Sequence, residues 1–237
     1  MTDSFETEFT GSASCGEGVA SFRFRKPAGY TFIPGQFFSL TLELEGGPTS
    51  KYFSHADAPG DPIIELTTRL TGSEFKNALL ALEPGQTVSL DGPKGRLRVP
   101  EGAASVGFLA GGVGITPAHS IIRDAVLRPR PIEMYLFYGN RDEGCVPYGD
   151  EFRRYAEGSD WFTYVETLDN PGPTWKGETG FISAEMILSR VRQPLDTHWI
   201  VAGPPPMVDA MKLVVSDLRL PPESVSYELF SGYAPKG

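Results

Sequence analysis

The sequence predicts two domains, an antiparallel six-stranded β-barrel followed by an α/β domain built on a parallel sheet. Three observations carry that reading. Short β-like runs alternate with Pro-Gly and Gly-Gly turns through the first part of the chain. Beyond Pro100-Glu-Gly-Ala-Ala104 the order becomes strand, helix, strand, helix, which calls for a parallel sheet covered on both faces. The stretch Val106-Gly-Phe-Leu-Ala-Gly-Gly-Val-Gly-Ile-Thr-Pro117 takes an apolar strand through a glycine turn straight into a helix. With 237 residues, 40% of them hydrophobic, the chain is long enough to bury a substantial core. The boundary is expected near residue 101, giving domains 1–101 and 102–237.

In the first domain the predicted strands are 19–25, 36–44, 63–70 and 87–91. They are set apart by Pro34-Gly35, Gly46-Gly47-Pro48, Pro59-Gly60 and Pro84-Gly85. The alternation Phe22-Arg23-Phe24-Arg25 marks a strand with one buried face. One helix, 74–82, interrupts the pattern. In the second domain strands are predicted at 106–110, 132–138, 162–167, 199–202 and 225–230. Helices are predicted at 118–127, 150–157, 184–191 and 205–218. Ligands of such sheets bind beyond the carboxyl ends of the strands.

The glycine turn lies at one of those ends. Gly111, Gly112 and Gly114 clear side chains from it and tolerate positive φ. Ile115 closes the turn, Thr116 is placed to cap the helix, and Pro117 fits the first turn, where a missing N–H costs nothing. Backbone N–H groups and the positive end of a helix dipole converge there, which suits a phosphate. The dinucleotide fingerprint G-x-G-x-x-G is matched only in part, because counting from Gly112 its last position is Pro117. An ordinary strand-to-helix turn stays open as the plainer reading of this segment taken alone.

A net charge of −9 argues against broad nucleic-acid binding and against attraction to an anionic membrane. No apolar run is long enough to span a bilayer and the N-terminus does not read as a secretory signal, so a cytoplasmic protein without membrane insertion is expected. Two cysteines, Cys15 and Cys145, cannot supply the four thiolates of an iron–sulfur cluster. His55, His119 and His198 show no metal-ligand spacing, and His119 and His198 read as structural.

Trp199-Ile-Val-Ala-Gly-Pro-Pro-Pro-Met-Val208 supplies a second strand-to-helix junction in the same half. Here the chain resembles the ferredoxin–NADP reductase family, whose members pair an FAD-binding barrel with an NAD(P)-binding α/β domain. The resemblance spans essentially the whole chain. It rests on Pro34-Gly-Gln-Phe37, Lys51-Tyr-Phe-Ser54, Ala110-Gly-Gly-Val-Gly-Ile-Thr-Pro117 and Ala202-Gly-Pro-Pro-Pro-Met207, in the family's order. Gly92-Pro-Lys-Gly95 and Glu228-Leu-Phe-Ser-Gly-Tyr233 add to it.

The resemblance implies roles for single residues. In Lys51-Tyr52-Phe53-Ser54, matching the family's Arg-x-Tyr-Ser/Thr, Lys51 faces the FAD phosphates, Phe53 lies against the isoalloxazine and the Ser54 hydroxyl sits near flavin N5. Lysine keeps the charge of arginine without its bidentate fork. Leu66, Thr67 and Arg69 on the next strand line the cofactor. Gly72-Ser73-Glu-Phe75-Lys76 loosely matches a second phosphate contact at the start of the barrel's helix, with Phe75 where the family has serine. Gly111, Gly112, Gly114, Ile115, Thr116 and Pro117 bind the NAD(P) pyrophosphate, with Gly203, Pro204, Pro205 and Met207 at the second junction. Gly139, Asn140 and Arg141 lie where the adenosine ribose is expected. Glu228 and Phe230 match acidic and aromatic positions bordering the flavin. Ala202 stands where the family commonly has cysteine, which removes a polarizable contact but no base.

The implied activity is an FAD-dependent oxidoreductase that takes a hydride from NADH or NADPH and passes electrons to a separate acceptor. That acceptor is a ferredoxin, a flavodoxin, an oxygenase component or a small molecule such as a quinone or free flavin. A nucleotide-binding regulatory flavoprotein without efficient turnover, suggested by Lys51, Phe53 and Ala202, stays open, as does a dehydrogenase using the α/β half alone. The residues do not decide between NADH and NADPH, since Asp142 and Glu143 accompany Arg141.

Overall fold

A computed structural model describes residues 3–230. They fall into two compact units, residues 1–98 with 119–128 and residues 99–118 with 129–237, of which the terminal residues 1–2 and 231–237 lie outside the description. Ser231, Gly232 and Tyr233 of the last motif are therefore among the residues not described.

The first unit holds β1 (Asp3–Ser14), β2 (Val19–Arg25), β3 (Phe37–Leu44), β4 (Gly47–Ser54), β5 (Ile63–Arg69), α1 (Glu74–Leu80) and β6 (Thr87–Lys94). The strands form one antiparallel sheet in the order β4-β3-β6-β1-β2-β5, the six-stranded antiparallel architecture expected from the sequence. Its core is aromatic-rich, with Phe9, Phe22, Phe24, Phe38, Phe53 and Phe75 packed among Leu40, Ile64, Leu66, Leu79 and Leu90. β4 and β5 are the ends of the strand order, so no ladder joins them. The seam they leave is closed at one end, where Ala56 N donates to Glu65 O at 2.9 Å.

The second unit holds β7 (Ser105–Gly111), β8 (Glu133–Asn140), α3 (Gly149–Glu157), β9 (Phe162–Leu168), β10 (Glu178–Thr179), α4 (Ala184–Leu188), β11 (His198–Gly203), α5 (Pro205–Asp217) and β12 (Val225–Leu229). Its sheet is parallel throughout, in the order β10-β9-β8-β7-β11-β12. A short 3₁₀ turn, Gly112–Ile115, leads from β7 into α2 (Thr116–Leu127). Residues 119–127 of that helix, with Arg128 after it, belong to the first unit: Arg123 there grips Asp61 with Nε and Nη2 at 2.6 and 2.9 Å. The sheet's carboxyl edge carries Gly111, Gly139 and Gly203, with Gly111 and Gly139 directly in register.

Candidate functional site

At the seam of the first unit, β4 contributes Lys51, Tyr52, Phe53 and Ser54. Strand alternation puts Tyr52 on the outside, 68% exposed, edge-on to Phe37 with Lys94 Nζ 5.4 Å from its ring centre. The Phe53 ring, 8% exposed, packs instead in the core against Phe38 and Phe75. Lys76, from α1, spans the gap: its ammonium lies 4.3 Å from the Phe53 ring centre on β4 and donates to Thr68 Oγ1 on β5 at 2.6 Å. Burial lowers the Lys76 pKa to about 8, and the charge of Lys51 pushes the same way. Two cations held in each other's field, one of them desolvated, form a donor set that suits a diphosphate, because an anion between them removes the repulsion and replaces lost hydration.

The sequence placed the helix N-terminus at this phosphate. α1 has only seven residues, and its Ser73 cap already accepts from Lys76 N at 3.4 Å, so the full positive charge at this end of the helix is that of the Lys76 side chain. Gly72, at φ +69°, turns the chain into that helix. Phe75 fills the barrel and Leu66 its core, Thr67 is buried, and Arg69 is exposed at the strand end.

The closed end of the seam carries a buried polar chain that sequence reasoning did not assemble. Tyr30 Oη and His55 Nε2 are 2.9 Å apart, and His55 Nδ1 lies 3.0 Å from Asp57 Oδ1. The same carboxylate oxygen accepts from Glu65 N at 2.9 Å. His55 is fully buried, with Phe32 stacked on it at 3.6 Å between ring centres. His119, read from sequence as structural, has Nδ1 2.5 Å from Ala56 O, and Ser120 donates to Asp57 O at 2.6 Å. The one sequence signal for this cluster was polar residues following a strand motif, which by itself points nowhere.

In the second unit the three glycines of the turn do different jobs. A Cβ on Gly114 would press on the Ala202 carbonyl oxygen and lie 2.6 Å from Gly203 Cα, so this glycine allows the two strand-to-helix turns to pack backbone on backbone. One on Gly111 would come within 3.1 Å of Met207 Cγ, and one on Gly203 within 2.8 Å of Met207 Sδ, so Met207 covers both strand ends. Only Gly112, at φ +53° with no atom within 4 Å of a Cβ, leaves its backbone open. Tyr138, fully buried on β8, braces it by donating to Gly112 O at 2.9 Å.

Thr116 does not cap. It is already helical and its Oγ1 donates back to Val113 O at 3.2 Å, because the 3₁₀ turn moves the start of the helical run to Gly111, which carries no side-chain cap. Pro117 sits in the first turn of α2 and Ile115 is buried beneath it. That uncapped start fits an incoming phosphate. The second junction is poorer in donors: Pro204 caps α5 without a side-chain bond, Pro205 and Pro206 have no N–H, and Val208 N is taken by Pro204 O at 3.0 Å. Ala110, Ala202 and Glu228 lie side by side in register across β7, β11 and β12, and Phe230 N donates to Gly203 O at 3.0 Å.

Beyond β8 and β9 two loops lock together. Asn140 O and Arg141 O accept from Asp169 N and Asn170 N at 3.0 and 2.7 Å, and Glu143 Oε2 accepts from Gly172 N at 2.9 Å. Asn140 is 7% exposed, with its Nδ2 donor unused. Arg123 pairs with Asp61, Arg128 with Asp124, and Arg153 with both Asp150 and Glu166.

The parallel-sheet unit with its uncapped glycine turn suits a nucleotide, and residues 108–212 match the oxidoreductase NAD-binding domain family. An NADH–cytochrome b5 reductase 1 of Aspergillus terreus is 33% identical over 84% of this chain and 73% of its own length. Ferredoxin–NADP reductase B of Sorangium cellulosum is 33% identical over 78% of each protein. In fold, a ferredoxin–NADP+ reductase of Neisseria gonorrhoeae superposes with a TM-score of 0.82 at 19% identity, over 95% of this chain and 98% of its own. The chain belongs to the family of ferredoxin–NADP reductases and cytochrome b5 reductases, and it is an oxidoreductase enzyme. Among the described residues no helix is long and apolar enough to cross a membrane.

Proposed function

We propose that this protein is an FAD-dependent reductase that oxidises NADH and hands electrons to a separate acceptor, a redox protein or a small molecule. The observation that carries the reading is the pairing of the Lys51–Lys76 seam with the open Gly112 turn, one anion grip in each of two units whose order matches the family. When bound, the nicotinamide supplies a hydride, and the flavin accepts it and releases electrons singly or in pairs. The protein's own contribution is position: Lys51 and Lys76 hold the flavin diphosphate, and Ser54 presents a hydroxyl near flavin N5. Gly112, braced by Tyr138, holds the nicotinamide dinucleotide by its pyrophosphate, while Glu228 and Phe230 border the flavin. Hydride transfer needs no protein base, so Ala202 in place of cysteine leaves the reaction possible.

The preference for NADH follows from the charge of the locked loops. Asp142 and Glu143 follow Arg141 after β8, and Asp169 lies on the loop whose backbone bonds to Asn140 O; a carboxylate after the second strand accepts from ribose hydroxyls while repelling a 2′-phosphate. Purified protein loaded with FAD should show flavin absorbance that bleaches under NADH without oxygen, and kcat/KM should favour NADH over NADPH by roughly tenfold or more. Protein that takes up no FAD would refute the reductase reading, and a preference for NADPH would refute the coenzyme assignment.

A further inference from the structure

We infer that His55 is a positioning residue for Ser54, acting through the buried Tyr30–His55–Asp57 chain as the clasp that fixes where β4 leaves the seam. This rests on the reductase reading, which puts Ser54 beside the flavin.

The geometry assigns the hydrogen on Nδ1. Asp57 Oδ1 already accepts from Glu65 N, so it is an acceptor toward His55 and Nδ1 carries the hydrogen. Burial, with the Asp57 and Asp91 carboxylates adding to it, raises the Tyr30 pKa, so the phenol keeps its proton where Oη meets His55 Nε2 at 2.9 Å. The imidazole therefore links the phenol on one side to the carboxylate on the other.

Both ends of this chain are anchored in the barrel. Tyr30 stands edge-on to Phe5 at 5.3 Å, and Lys26 approaches the second oxygen of Asp57 at 3.8 Å while donating to the carbonyls of Ala58, Pro59 and Asp61. Between them, His55 N donates to Gln36 O at 3.1 Å and Ala56 N to Glu65 O. Ser54 is the last residue of β4, paired with Phe37 and buried, one peptide from the imidazole. The crossing from β4 to β5 thus has its backbone held on both sides, and the His55 side chain ties the two anchors together. An apolar residue at this position would fill the volume and leave the phenol and the carboxylate unlinked. A group whose hydroxyl must meet one edge of a ring gains from such a clasp, since small displacements of a positioned group lower rates steeply.

The test compares Tyr30→Phe, His55→Leu and His55→Asn, each loaded with FAD, with the wild type. Tyr30→Phe removes one hydroxyl and keeps the ring packing; His55→Asn keeps a donor where Nδ1 stood. The expected result is an anaerobic flavin-reduction rate down about fivefold in Tyr30→Phe and more in His55→Leu, with the KM for NADH unchanged and His55→Asn nearer the wild type than His55→Leu. The flavin midpoint potential shifts in the same order, which a purely structural role would not produce. Independently of turnover, ¹⁵N NMR of the wild type should show a hydrogen on His55 Nδ1 both with and without FAD. A His55 Nδ1 without a hydrogen toward Asp57 overturns the proposal. So do variants that melt earlier yet keep the wild-type potential and reduction rate. Wild-type protein without FAD binding would sink the reductase reading itself, a distinct outcome.

Discussion

The barrel unit meets its proposed anion with side-chain charge, whereas the parallel-sheet unit offers backbone. At the seam, Lys51 and Lys76 are cations brought together against their mutual repulsion, one of them desolvated. At the turn after β7, Gly112 presents backbone without a side chain, its carbonyl held by a tyrosine hydroxyl, with no lysine or arginine in the turn itself. The difference is one of control. A grip made of titratable charge responds to pH and salt, while a grip made of peptide dipoles is fixed by the fold and changes only if the backbone does.

The largest expected effect falls on the backbone grip. Gly114→Ala puts a methyl group against the Ala202 carbonyl and Gly203 Cα, neither of which can yield alone, and should cost roughly 3 kcal/mol or more of stability in urea denaturation. Lys76→Met comes next. It removes the charge and keeps the packing on Phe53, so FAD affinity should fall roughly thirtyfold with little loss of stability and no change in NADH affinity.

The pH dependence sharpens the contrast. Lys76 titrates near 8 in the folded FAD-free protein and near the ordinary lysine value when unfolded, so between those values the unfolded chain binds more protons. Stability of the FAD-free protein should therefore gain from Lys76 as pH rises from 8 toward 10. FAD affinity should move the other way, complete below about 8 and weakening above it, because the diphosphate needs the charged ammonium. Both slopes should flatten in Lys76→Met, which denaturation and FAD titrations at a series of pH values would show. The smallest effect is Gly112→Ala, where space is open and only the positive φ is strained. About 1 kcal/mol of stability and a rise in the KM for NADH are expected. If Gly112→Ala proved more damaging to the fold than Gly114→Ala, the division of labour among the glycines would be wrong.

The change of rhythm near residue 101 made both sheets legible, because turn residues in one half and strand-to-helix alternation in the other are local signals. β1 carries little local signal: in Asp3–Ser14 only Phe5, Phe9 and Ala13 are apolar, and the strand is held by long-range pairing with β2 and β6. β4 was read as a motif and not as a strand, since Gly47 and Pro48 at its start look like a turn. The helix expected over 184–191 stops at Leu188, where Ser189 and Arg190 close onto Ile187 and its neighbours. At the turn, sequence showed which residues were glycine but not why. Packing against Ala202, cover by Met207 and a positive φ are facts of tertiary structure. The Tyr30–His55–Asp57 chain was hidden for the same reason, because its members are joined by folding and not by spacing.

The unladdered flank between β4 and β5 also bears on how the chain is handled as a material. Bare strand edges recruit other chains, and the barrel places Lys51 beside one edge and Arg69 on the other, the residues that discourage such recruitment. A flavin lodged there would finish the enclosure, so cells short of riboflavin-derived cofactor should yield more clumped and less monomeric protein than cells well supplied.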